Sequence, residues 1–214
     1  MSALLQRPER AALLYVLAHG AGAGMRHPFL EAMARALSGV GVATLRYQFP
    51  YMEAGRRRPD PPPVAHATVR AAVLAAAGAA PGLPLLAGGK SFGGRMTSQA
   101  TAKEPLPGVR GLVFLGFPLH PPNQPGEVRA AHLEAVTAPM LFLQGARDAF
   151  ARRDLIEAVC GRLGARATLH LVDDADHSFN VPRRTGRAAP AVIEELARIT
   201  AAWARGAAGV ASHS

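Results

Sequence analysis

Six short apolar runs, near Leu13–Ala18, Val42–Tyr47, Pro84–Gly88, Gly111–Gly116, Met140–Gln144 and Thr168–Val172, alternate with longer Ala-rich amphipathic stretches. A strand buried on both faces reads as a near-continuous apolar run, and a parallel neighbour needs a crossover, usually a helix, to reach it. The alternation therefore predicts an α/β three-layer sandwich: a mainly parallel sheet of about six strands with helices on both faces. The helices fall over Pro28–Leu37, Val64–Gly78, Ser91–Thr101, Gly126–Val136, Arg152–Leu163 and Pro190–Arg205. No repeat or linker divides the chain, so one unit is expected over residues 1–214.

The third run feeds the stretch Gly88-Gly89-Lys90-Ser91-Phe92-Gly93-Gly94-Arg95, which has two readings. A phosphate-binding loop, G-x-x-x-x-G-K-[ST], would need glycine at position 84, and that residue is Pro84. The G-x-S-x-G of Gly89–Gly93 instead lies between an apolar strand and a helical run, the setting of a serine held on a tight turn. Glycines two before and two after the serine let strand and helix backbones approach each other there.

A serine hydroxyl needs a histidine to take its proton, and the imidazole needs a carboxylate to fix its tautomer and balance its charge. Asp148 follows the fifth run and His177 the sixth. All strand ends of a parallel sheet lie along one edge, so both can converge on Ser91. Asp173, Asp174 and Asp176 share the loop of His177 and are read as shaping that turn, leaving Asp148 as the acid.

These motifs, HGAGAG at His19–Gly24, GKSFGG at Gly89–Gly94, LQGARD at Leu143–Asp148 and DADHSF at Asp174–Phe179, resemble the α/β-hydrolase fold, in particular its small lidless, dienelactone-hydrolase-like members. The resemblance covers nearly the whole chain. It implies a Ser91–Asp148–His177 triad, with Leu13–Ala18 as the family's third strand and its first two missing or vestigial. It also implies an oxyanion hole made by the amides of Phe92 and Ala21, with Gly22 in reserve. The dienelactone hydrolases carry cysteine at the elbow where this chain has Ser91, so their substrate is not carried over.

The remaining residues near the strand ends have blander readings. His19 is taken to fix its turn, and His120 to be held between prolines. Phe49 and Tyr51 either line an acyl pocket or cover the core; with Phe117 and Leu119 they are the candidate pocket walls. Only Phe117–Pro125 follows the fourth run before the next helix, and nine residues with four prolines are too few for a lid.

The net charge of +9 comes from 22 arginines against 2 lysines, scattered except at Arg56-Arg57-Arg58, and aromatic residues are 6%. That pattern argues against nucleic-acid binding, though the three adjacent arginines could attract an anionic group. The lone Cys160 cannot form an internal disulfide, which fits a reducing cytoplasm, and no run reads as a signal peptide or membrane span. No cofactor or metal is expected, and no oligomerisation motif is visible. The expected function is a serine hydrolase of small short-acyl esters or thioesters. Peptide, lactone or carbon–carbon hydrolysis would use the same triad, and a non-catalytic scaffold docking an acidic partner is the reading of another class.

Overall fold

The computed structural model describes residues 1–206 and 208–209. Its sheet has seven strands: β1 (Ala3–Gln6), β2 (Leu13–Ala18), β3 (Val42–Tyr47), β4 (Leu85–Lys90), β5 (Val109–Leu115), β6 (Met140–Gly145) and β7 (Ala167–Val172). They are ordered β1-β3-β2-β4-β5-β6-β7. Six run parallel and β1 pairs antiparallel with β3.

Among the described residues six α-helices accompany the sheet: α1 (Pro28–Gly39), α2 (Pro50–Glu53), α3 (Pro62–Ala79), α4 (Phe92–Lys103), α5 (Arg153–Leu163) and α6 (Ala189–Gly206). Pro28, Pro50 and Pro62 each open a helix, where a fixed φ helps and a missing N–H costs nothing. Side chains alternate across the strands: Leu14, Val16 and Ala18 of β2 face the core beneath α3, α4 and α5, whereas Leu13, Tyr15 and Leu17 face α1 and α6. The Tyr15 hydroxyl meets its need for a partner inside that second core by donating to the Val113 carbonyl at 2.8 Å.

Three expectations need correction. A strand does precede Leu13: β1 escaped notice because it is four residues long, half exposed on a sheet edge, and so lacks an apolar run. The stretch 126–136 forms a 3₁₀ segment over Val128–Ala135, not an α-helix. Its buried residues Ala130, Leu133 and Val136 recur every third position, the period of a 3₁₀ turn. The short α2 after β3 was also unforeseen. Among the described residues no helix is long and apolar enough to cross a membrane.

Candidate active site

Ser91 is the single residue between β4 and α4, and it sits at φ 48°, ψ −113°, a conformation that side-chain-bearing residues rarely adopt. Such a position costs on the order of 1–3 kcal/mol and persists only where the surroundings over-determine it. Here they do: β4 is paired on both sides, and the Ser91 amide donates to the Leu115 carbonyl at 3.1 Å. The two motif glycines give room. A Cβ on Gly89 would lie 2.2 Å from the Ala18 carbonyl oxygen, and one on Gly93 would lie 2.6 Å from Ala18 Cβ. The end of β2 thus presses against both sides of the turn, leaving the serine side chain to point out past the strand ends.

Two other strand ends supply its partners. His177 Nε2 lies 2.9 Å from Ser91 Oγ, and His177 Nδ1 lies 2.7 Å from Asp148 Oδ2. The Asp148 side chain is fully buried and accepts two further hydrogen bonds: Gln144 Nε2 donates to Oδ2 and the Phe150 amide donates to Oδ1. These donors fix the carboxylate in place, and its hydrogen bond with Nδ1 sets the imidazole tautomer that leaves the Nε2 lone pair facing the serine hydroxyl. The Phe150 ring lies against the imidazole, centroids 4.4 Å apart.

Asp173, Asp174 and Asp176 play no part in this chain of bonds. Asp176 accepts from the Ser178 and Asn180 amides and closes the His177 turn, while Asp174 pairs with Arg184. Among the described residues no three His, Cys, Asp or Glu side chains gather as a metal site.

The donors near Ser91 follow from the backbone. Phe92 is the first residue of α4, so its N–H has no carbonyl within the helix to bond. Ala21 lies on the loop after β2, beside Ser91 in the same cleft. The reserve, Gly22, is engaged: its amide donates to the Tyr51 hydroxyl at 2.9 Å.

That bond shows why Tyr51 is not a pocket wall. Phe49, Tyr51, Phe117 and Leu119 are all fully buried. Phe49 packs between His19 and Phe92, and Phe117 joins Phe114 and Phe142 beneath the sheet edge. Large apolar side chains at strand ends turn inward here because burying them gains more than lining an open cleft. The walls come from other residues. One opening beside Ser91, about 310 Å³, is lined by Ala23, His27, Phe29, Leu30 and Lys90. A second, about 360 Å³, is lined by Pro59, Pro62, Arg95, Met96, Pro118 and Arg129. Phe150 and Ala21 border both.

Two further histidines near the strand ends, His19 and His120, are structural. His19 Nδ1 bonds the Gly20 carbonyl, its Nε2 accepts from the Phe49 amide, and burial lowers its pKa. His120 bonds the Pro121 carbonyl and accepts from the Arg152 amide. Of the arginine run, Arg56 is spent on Asp60 at 2.9 Å. Sequence reasoning missed Gln144, Phe150 and Lys90. Gln144 carried a signal, a lone amide ending the apolar strand MLFLQ, and so did Lys90, a cation between a buried strand and Ser91.

A family model described as an alpha/beta hydrolase domain matches residues 10–205. Among solved structures, a dienelactone hydrolase from Anabaena variabilis superposes with a TM-score of 0.73 at 21% identity, covering 95% of this chain and 90% of that one. An alpha-beta serine hydrolase homologue from Coxiella burnetii gives 0.71 at 17% identity, covering 94% and 89%. A lidless serine hydrolase from Xanthomonas campestris gives 0.70 at 18% identity, covering 92% and 88%. At such identities these likenesses establish the fold.

Proposed function

The chain belongs to the α/β-hydrolase family, and on that footing we propose that it is a serine hydrolase of small carboxylic esters or thioesters with short acyl chains, working through an acyl-enzyme. The observation that carries this reading is the unbroken chain of bonds from Ser91 Oγ through His177 to a buried Asp148.

Each residue then has a role. Ser91 attacks the ester carbonyl as His177 Nε2 takes its proton, and Asp148 balances the imidazolium that forms. The amides of Phe92 and Ala21 donate to the oxyanion, aided by the positive end of α4. His177 returns the proton to the leaving alcohol or thiol, and a water activated by the same imidazole releases the acid. This chemistry needs no cofactor. Short acyl chains follow from the two modest openings at Ser91 and from the segment between β5 and the 3₁₀ turn, which carries no helix to serve as a cap. The lone cysteine, buried with its thiol pushed up to about 12 by desolvation, is unreactive and supports a cytoplasmic location.

A fluorophosphonate probe tests the reading directly. The wild-type chain should be labelled on Ser91 and the Ser91→Ala variant should not. A wild-type protein that neither labels nor cleaves p-nitrophenyl acetate would overturn it.

A further inference from the structure

Arg95 follows Ser91 by four residues on α4, its amide bonded to the Ser91 carbonyl at 3.1 Å, so both side chains rise on one face of the helix. Its guanidinium is only partly exposed, and its Nε is buried with no hydrogen-bond acceptor. Arg129, on the 3₁₀ segment, borders the same opening, and among the described residues neither arginine has an ion pair or a side-chain hydrogen bond. Two like charges converge on a half-buried space without a counter-ion, an arrangement that costs energy unless an anion joins them.

The surroundings supply no such anion. Asp60 is the one carboxylate on this wall, and it is taken up by Arg56 and the Tyr51 amide. His132 and His66, which flank Arg95, are driven toward neutrality first by burial, His132 down to about 4. Burial and then the charge of Arg129 lower Arg95 itself, so the site already bears the strain of its own repulsion. Lys90, the cation of the other opening, is by contrast engaged: it donates to the His177 carbonyl and sits near the Phe29 and Phe179 rings.

The geometry points to Arg95 and Arg129 as an anion-binding subsite of the active site: the preferred ester carries a carboxylate on its acyl part. This rests on the hydrolase reading and names its substrate class. Arg95 lies four residues after Ser91, the N-cap of α4, about 6 Å along the helix axis. Ser91, Arg95 and Arg129 line one opening, so the proposed acyl group carries its second carboxylate a few carbons from the ester, as in succinyl and glutaryl esters. Guanidinium groups bind a carboxylate through parallel charge-assisted hydrogen bonds, and the terminal nitrogens of Arg95 and Arg129 are the donors that can meet one in this opening.

The test compares p-nitrophenyl hemisuccinate with p-nitrophenyl butyrate, of similar length but neutral. In wild type the ratio of kcat/KM should favour the succinyl ester, and Arg95→Gln should cut that ratio about tenfold or more, the scale of a lost charge-assisted contact. Arg129→Gln should act in the same direction, and it carries the expectation alone should Arg95→Gln fail to fold. Arg57→Gln, an exposed charge outside the opening, separates a contact from a diffuse field. An equal fall from Arg57→Gln, or an unchanged ratio in both site variants, would overturn the assignment. Failure of the hydrolase reading is distinguishable, because it shows as loss of butyrate turnover and of probe labelling together. The subsite is then read without turnover, by the melting temperature in succinate: a rise in wild type that Arg95→Gln abolishes supports it, and an absent or equal rise refutes it.

Discussion

Lys90 Nζ donates a hydrogen bond to the His177 carbonyl oxygen at 2.6 Å, so the residue before Ser91 holds the loop that carries His177. Ser91 and His177 lie 86 positions apart in the chain, and their side-chain bond is 2.9 Å long. The Lys90 contact ties the same two segments by a second route, which in the proposed reaction steadies the imidazole as Ser91 loses its proton. That tie has a cost. Burial lowers the Lys90 ammonium to about 8, with Asp148 and Asp176 acting the other way.

A pH-dependent stability follows. Lys90 titrates near 8 when folded and near 10.5 when unfolded, so between those values the unfolded chain binds more protons and stability rises with pH. The cost is complete below the folded value and gone above the unfolded one. Lys90→Met removes it, so the stability of the variant relative to wild type should decline across this window by on the order of 3 kcal/mol. Urea unfolding at either end of the window measures this, and a constant difference would refute it.

Replacing the nucleophile separates chemistry from strain. Ser91→Ala and Ser91→Gly should both abolish turnover, since neither retains a hydroxyl. They should differ in melting. Only glycine adopts φ 48°, ψ −113° freely, so Ser91→Gly should be the more stable by about 1 kcal/mol. Calorimetry of the two variants decides, and equal melting would mean the turn is unstrained.

Asp148→Asn should lower kcat by about a thousandfold or more, because an amide cannot balance the imidazolium and can stabilise the wrong tautomer. It should also destabilise. Three donors, from Gln144, Phe150 and His177, converge on the carboxylate, and an amide turns an NH₂ toward one of them. A buried donor left unpaired costs about 1–3 kcal/mol. Asp176→Asn and Asp174→Asn, which touch only their own loop and Arg184, should leave kcat within a small factor of wild type. A crippled Asp176→Asn with a mild Asp148→Asn would reverse the assignment.

What was legible in the sequence divides along physical lines. β2 and β3 match the expected Leu13–Ala18 and Val42–Tyr47 because strands buried on both faces are apolar throughout and bounded by turn residues. The edge strand β1 carries no such pattern. Strand-end reasoning brought Ser91, Asp148 and His177 to one edge because parallel topology alone dictates it. It could not say whether Phe49, Tyr51, Phe117 and Leu119 turn inward or outward, since past the last strand residue the two-residue alternation no longer governs direction. Helical spacing from Ser91 would have found Arg95. Its lack of a partner was invisible, because pairing depends on the 3₁₀ segment and on Asp60, distant in sequence.

The open edge at Ser91 predicts how activity depends on acyl length. The two openings there are about 310 and 360 Å³, and the buried aromatic residues below them leave no tunnel into the core. Each methylene moved from water into an apolar channel contributes roughly 0.8 kcal/mol, so a deep tunnel would raise kcat/KM steadily with chain length. In a shallow cleft the gain stops once the chain passes the rim and its tail returns to water. Among neutral p-nitrophenyl esters, efficiency should therefore be greatest from acetate to butyrate and level or fall beyond, with no activation at a lipid interface. Efficiency still climbing at dodecanoate would mean that the cleft closes over long chains, and the short-acyl proposal would fail.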